Sequence, residues 1–165
     1  MIIESSRLVL RALTRVEAEA IVTEDRTGQS WTTDYPTPAD VGITAIALAG
    51  RAVLPTESVP WGLFVIVETS SGLSVGGIGF KGTPNERGEV EVGYGVCPSY
   101  QGRGVASEAL DALCEFARGR VDAIVAETDL DNVASQRVLE KCGFRSAGGD
   151  HDLLRWRRDL ADPVP

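Results

Sequence analysis

The sequence predicts a mixed α/β fold, a mostly antiparallel sheet that contains one parallel strand pair bridged by a helix. Three observations carry this. Glu89–Val96 alternates Val90, Val92, Tyr94 and Val96 with Glu89, Glu91, Gly93 and Gly95, the two-residue period of a half-buried strand. Val105, Ala106, Ala109, Leu110, Leu113, Phe116 and Ala117 then recur at spacings of three and four, which marks the buried face of a helix. Val121–Thr128 follows as a second strand, and a strand reached through a crossover helix lies parallel to the first.

The remaining elements read in order along the chain. Arg7–Leu13 is expected as a strand with Leu8 and Leu10 on one face, and Thr14 with Glu17 makes a capping box for the first helix. Arg26–Pro38 has no periodicity and collects Gly28, Pro36 and Pro38, so it reads as a loop. Trp31 and Tyr35 lie in it, and two readings are open for them: a small satellite core, or the wall of a substrate site. Asp40 is expected to cap a helix over Val41–Leu54, closed by the Leu54-Pro55 step.

Trp61–Glu68 is apolar and β-branched, as a central strand should be, and Leu73–Gly82 returns after the turn at Ser70-Ser71-Gly72. Within it Gly77-Ile-Gly79-Phe-Lys-Gly82 matches the dinucleotide fingerprint in form only. Thr83-Pro84-Asn85 follows in place of a helix, so a glycine-rich strand with a bulge is expected. Past the crossover, Asp131 or Asn132 opens a helix that Gly143 stops, and Phe144–Ala147 and Leu153–Arg158 read as two final antiparallel strands. Ala161–Pro165 reads as a frayed tail.

At 165 residues, with 43% hydrophobic and 24% charged residues, the chain 1–165 is expected to be a single domain. A net charge of −8 argues against a nucleic-acid or anionic-membrane surface and suits a cationic substrate. The start, Met1-Ile2-Ile3-Glu4, is charged too early for a secretory signal and no apolar run approaches a membrane span, so a cytoplasmic location is expected. Cys97, Cys114 and Cys142 have no metal-ligand spacing, and no metal is expected. Cys114 and Cys142 fall on apolar helix faces, and no histidine is assigned beside Cys97. His151, between Asp150 and Asp152, reads as a surface residue.

The chemistry concentrates between the strand and the helix. Pro98 cannot donate to a ladder and stops the strand, and Gln101-Gly102-Arg103-Gly104 leads into the helix. The first N–H groups of a helix lack internal partners and carry the positive end of its dipole, which attracts phosphate. Glycines there let a pyrophosphate approach, and Arg103 adds a cation; the other reading is a turn that uses glycine only for backbone freedom.

The spacing Val96-x-Pro98-x-x-Gln101-Gly102-Arg103-Gly104-x-Ala106 closely resembles the coenzyme-A signature of the GNAT superfamily of N-acetyltransferases. Asn132-Val-Ala-Ser135 through Gly143-Phe144 resembles that family's second motif. Arg7-Leu-Val-Leu-Arg11 resembles the opening strand of the branch typified by the ribosomal-protein N-terminal acetyltransferases RimJ and RimL.

The resemblance implies a GNAT fold and acetyl-CoA as the acyl donor. It implies that the pantetheine arm pairs like an extra strand between Glu91–Val96 and Val121–Thr128, and Gly93 and Gly95 fit the bulge that splays those strands in the family. The Val96 N–H would polarise the thioester carbonyl, Gln101, Gly102, Arg103, Gly104, Val105 and Ala106 would hold the pyrophosphate, and Asn132 would bond the pantetheine arm or cap its helix, or both. Glu91 matches an acidic position of RimL-like members and is the candidate base, acting through a water; its other reading is a solvated strand carboxylate like Glu89. The general-acid tyrosine of the broader family is replaced by Leu139. Ser135, one helical turn earlier, matches a serine of RimL-like proteins, and is either the proton donor to the departing thiolate or a first-turn serine bonded to the backbone.

The expected reaction is direct attack of a primary amine, of a peptide N-terminus or a small molecule, on the acetyl group. The alternatives are an acyltransferase using another acyl-CoA or an aminoglycoside-type amine, and a catalytically silent CoA-binding module. Edge strands and the final hairpin leave a homodimer open.

Overall fold

The computed structural model describes residues 1–50, 54–56 and 59–160. Its frame is one eight-stranded sheet in the order β1-β2-β3-β4-β5-β6-β8-β7. The strands are β1 (Ile2–Glu4), β2 (Leu8–Ala12), β3 (Leu63–Glu68), β4 (Ser74–Phe80), β5 (Glu89–Val96), β6 (Ala123–Asp129), β7 (Arg145–Gly149) and β8 (Leu153–Asp159). The helices are α1 (Arg15–Thr23), α2 (Pro38–Leu48), α3 (Val105–Ala117) and α4 (Val133–Lys141). Strands β5 and β6 are parallel, as the crossover through α3 requires, and the other neighbours are antiparallel.

Strand alternation divides the core between the two faces of the sheet. Phe64, Ile66, Ile78, Phe80, Val90 and Val92 pack with Leu110 and Leu113 of α3 and Leu139 of α4. Leu63 and Val65 turn the other way, onto Ala18 and Ile21 of α1, Ala47 of α2 and the loop residue Tyr35. Both sets of side chains follow from the two-residue period, so β3 and β4 at the centre of the sheet are buried on each side, while β7 at its edge is exposed along its length.

The structure corrects several boundaries. Ile2–Glu4 forms an edge strand that the sequence reading did not anticipate, paired with Val9–Arg11. Helix α2 begins at Pro38, with Thr37 as the N-cap. Asp40 is therefore not the cap but the third helical residue, and it closes a capping box with Thr37. Proline suits the first helical position because the N–H it lacks has no partner there. The helix ends at Leu48, short of the expected Leu54, and Gly50 at φ 75° supplies the left-handed residue that terminates it. Residues 51–53 of that expectation, and the tail Ala161–Pro165, lie outside the described residues.

The bulge expected in the glycine-rich strand is present but displaced. The β3–β4 register shifts between Ile66 and Val67, opposite Ser74 and Gly76. Strand β5 pairs with β4 without a shift from Gly76↔Val96 to Phe80↔Val92, so Gly93 and Gly95 make no bulge in that ladder. The parting of β5 from β6 occurs all the same: their pairing covers only Glu89–Glu91 with Ala123–Val125, while β6 stays paired with β8 along Ala123–Asp129.

Gly76 shows how closely β4 and β5 approach. A β-carbon there would lie 2.3 Å from the Gly95 carbonyl oxygen and 3.0 Å from Val96 Cα, both backbone atoms that cannot swing aside. Gly76→Ala is expected to cost about 2 kcal/mol of stability through overpacking. Thermal unfolding followed by circular dichroism checks it: a fall in Tm of about 4–8 °C is expected, and an unchanged Tm would contradict the close approach.

Candidate active site

The site begins with backbone groups. Lys81 N–H donates to Glu91 O at 2.8 Å and Cys97 N–H to Val75 O at 2.9 Å, which fixes the phase of the β4–β5 ladder. In that phase the N–H and C=O of Tyr94 and Val96 point away from β4, toward β6. Because β6 has parted from β5 by then, those groups face an open slot. The Val96 carbonyl accepts from Gln101 Nε2 at 3.0 Å. The Val96 N–H thus lies on an unpaired strand edge, where the sequence reading expects a polarising donor.

The slot leads to the start of α3. Gly102 and Gly104 take φ of 73° and 79°, a region costly for residues with a β-carbon. Gly104 is the N-cap, no side chain caps the helix, and the first helical bond runs from Glu108 N–H to Gly104 O. The N–H groups ahead of Glu108 therefore point outward with the positive end of the dipole behind them. Arg103 stacks 4.8 Å over the Tyr100 ring. Arg7, just ahead of β2, bonds Glu108 (2.7 Å) and the Arg103 carbonyl (3.2 Å), which ties the turn to the sheet. An unpaired strand edge running into an uncapped, glycine-flanked helix start fits the amide arm and pyrophosphate of coenzyme A.

Helix α4 supplies the opposite wall. Asn132 is its N-cap, with Oδ1 accepting from Ser135 N–H at 3.1 Å. The Ser135 hydroxyl meets the Tyr94 hydroxyl at 2.9 Å, and Tyr94 Oη also donates to the Ser135 carbonyl at 3.2 Å. Burial pushes the Tyr94 phenol up to about 12, so it stays protonated at neutral pH. Leu139 is buried and contributes only hydrocarbon. Tyr94 is a site residue that the alternation pattern assigns to the core; its polar end is legible only once β5 and α4 are placed together.

From the slot a cavity of about 290 Å³ extends across the sheet to α1 and α2. Its floor is the bare backbone of Gly77, Gly79, Gly93 and Gly95, which pair as Gly77↔Gly95 and Gly79↔Gly93. Tyr35 lines it and is also part of the second core, packed edge-on against Trp31 at 5.4 Å and 74°. Trp31 stands behind Tyr35, outside the lining. Arg26 holds the loop closed by donating to the Thr32 and Tyr35 carbonyls.

Three carboxylates bear on this space, and one of them, Glu127, lines it from β6 and is already paired with Arg155 at 3.3 Å. Glu91 pairs with Lys81 at 2.5 Å, and Lys81 lines the cavity while Glu91 stands behind it. Asp40 is only 6% exposed and lines the cavity on the α2 side. Burial raises its pKa, against the opposing effect of the two bonds from Thr37. The sequence reading found Asp40 only as a capping residue; its place over the glycine floor comes from the packing of α2 on β4. Cys97 is fully buried, its thiol pushed up to about 11 by burial, and it belongs to the second core.

The sequence model of the acetyltransferase (GNAT) domain matches residues 7–145. The N-acetyltransferase YjdG of Bacillus subtilis is 39% identical over 83 residues, 49% of this chain and 49% of that protein, so the chain spans about half the length of this relative. YoaA of Bacillus subtilis, also an N-acetyltransferase, is 27% identical over 155 residues, 89% of this chain and 84% of that protein. Among solved structures, RimL, the ribosomal L7/L12 α-N-protein acetyltransferase, in complex with coenzyme A superimposes with a TM-score of 0.66 at 22% identity, covering 97% of this chain and 98% of that one. The last likeness shows the fold. With the family model spanning well over half of the sequence, the chain belongs to the GNAT family of acetyltransferases.

Proposed function

We propose that this protein moves an acetyl group from acetyl-CoA to a primary amine by direct attack within a ternary complex. One observation carries the reading: β5 loses its partner after Glu91 just where the strand runs into the uncapped start of α3. Acetyl-CoA supplies the activated acyl group. The chain's own part is to bind, orient and move protons.

Gln101, Gly102, Arg103, Gly104, Val105 and Ala106 hold the pyrophosphate with backbone N–H groups and the Arg103 cation. Asn132 and the free edge of β5 hold the amide arm, and the Val96 N–H is aimed at the carbonyl that gains charge during attack. Ser135, in contact with the Tyr94 hydroxyl, donates the proton on the thiolate side. Glu91 is paired with Lys81 and stands four residues before Gly95, about 13 Å along the strand. It therefore works through water, as the outer acceptor of the proton that leaves the amine. The pair of hydroxyls and the cavity beyond them favour an enzyme over a silent CoA-binding module, which the loss of the usual tyrosine at Leu139 would otherwise suggest. The acetyl-CoA requirement assigns the reaction to the cytoplasm, and the net charge of −8 suits a cationic acceptor.

Gly104→Glu puts a carboxylate and a β-carbon at a left-handed position in the phosphate turn. Titration calorimetry should show CoA binding weakened by about a hundredfold, with circular dichroism unchanged; retained affinity would remove the cofactor from this turn. Glu91→Gln should lower turnover at neutral pH about tenfold or more with CoA affinity nearly unchanged, measured as thiol release, and an unaltered rate would take Glu91 out of the mechanism.

A further inference from the structure

We propose that Asp40 is the residue that receives the acceptor: the cavity over the glycine floor binds a primary ammonium carried on an apolar chain, and Asp40 Oδ1 holds it. The proposal rests on the acetyltransferase reading for its use in catalysis, although the binding step needs no acyl donor.

The two oxygens of Asp40 are not equivalent. Oδ2 accepts from the Thr37 N–H at 2.9 Å and from the Thr37 hydroxyl at 2.6 Å, which locks the side chain in one orientation. Oδ1 has no hydrogen-bond partner among the described residues, yet no sealed side-chain oxygen or nitrogen there lacks one, so Oδ1 opens into the cavity. A buried carboxylate oxygen with a fixed direction and an unused lone pair matches a charged N–H donor.

The floor beneath it is shaped to leave that space clear. A β-carbon on Gly77 would come within 2.6 Å of Asp40 Oδ1, so any side chain there would displace the carboxylate. Gly95 lies directly opposite Gly77, its own β-carbon position free of neighbours within 4 Å. Opposed residues of a hydrogen-bonded antiparallel pair stand about 5.5 Å apart. An ammonium on Oδ1 is therefore one strand spacing from Gly95, next to the Val96 N–H. Leu13, Ile21, Ile43 and Val65 add hydrocarbon to the walls, which suits the chain behind the nitrogen.

The chemistry balances. The ammonium N–H bond breaks and an O–H bond forms on Asp40 Oδ1, leaving a neutral amine whose lone pair attacks the acyl carbon. Low dielectric favours that collapse of a charged pair to a neutral one. As the N–C bond forms the C–S bond breaks, the sulfur leaves with its electron pair and takes a proton from Ser135, and the second proton of the nitrogen is lost to water, from which Ser135 recovers its own. The titratable groups facing Asp40 are Tyr35 from the loop and Cys97 just past β5, both kept neutral by burial, which raises each pKa, while Lys81 and Glu127, which line the same cavity, are paired with Glu91 and Arg155. The proton on Asp40 then passes outward through water toward Glu91.

The test is a titration of the isotope-labelled chain, without acyl donor, followed by amide shifts. The probes are n-butylammonium, the dipeptide amide Ala-Ile-NH2 as a peptide terminus, and n-butanol as the uncharged control. At least one ammonium should shift the Gly77 and Gly95 amides and bind ten or more times tighter than n-butanol, and whichever does so names the source of the acceptor. Asp40→Asn, which can keep the Thr37 bonds, should abolish the preference. In the unaltered chain the preference should vanish as pH falls through the titration of the Asp40 carboxyl carbon, which decides the matter even where the variant unfolds. Equal binding of n-butanol, a preference surviving Asp40→Asn, or shifts confined to other residues would overturn the proposal. Coenzyme A added separately should shift the Gln101–Ala106 amides, so failure of the cofactor reading and failure of the Asp40 assignment are seen at different residues.

Discussion

The site depends on a strand that is hydrogen-bonded on one side only. Past Glu91, β5 keeps every ladder bond to β4 and gives up those to β6. Leaving buried backbone donors unpaired costs free energy, so such an edge persists only where the surrounding structure holds it open or a ligand completes it. Here β6 is held away by β8, to which it is paired along its length, and β5 is held by β4 with glycine-to-backbone contacts too close for a side chain. The slot is thus fixed by the sheet itself, and α3 and α4 stand against the same core on which β5 rests.

The other face carries a second constraint of the same kind. Gly77, Gly79, Gly93 and Gly95 remove the side chains that would fill the centre of that face, and α2 places a carboxylate over the gap. Packing this volume with hydrocarbon would stabilise the fold, whereas burying Asp40 works against its ionised form. A fold that accepts both an open floor and a desolvated carboxylate spends stability where chemistry needs a polar group without water around it.

The cofactor half of the site was legible in the sequence because it is local. One strand, one glycine turn and the start of one helix follow without interruption from Glu89 to Ala106, and their spacing is itself the geometry. The acceptor half is assembled from segments far apart in the chain: Tyr35 from a loop, Asp40 from α2, Gly77 from β4 and Gly95 from β5. Each of these has a sufficient local explanation, such as a satellite aromatic, a capping carboxylate or a glycine-rich strand. No local pattern distinguishes those roles from a shared cavity. Tyr94 is the intermediate case, correctly placed on the apolar face by its alternation, while its hydroxyl partner Ser135 lies on an element that only the crossover brings near. The misplaced start of α2 has the same origin, since Thr37 and Asp40 both have cap chemistry and only the backbone shows that they cap reciprocally.

The central claim is that the gap between β5 and β6, with the start of α3, is built for acetyl-CoA. Thermal unfolding with and without excess acetyl-CoA tests it most directly. With ligand at about a hundred times Kd, linkage gives about 2.7 kcal/mol of stabilisation, and for a chain of this size a rise in Tm of about 5–10 °C is expected. A Tm unmoved at saturating acetyl-CoA would contradict the account, because the unpaired edge and the open helix start would then have no ligand to complete them.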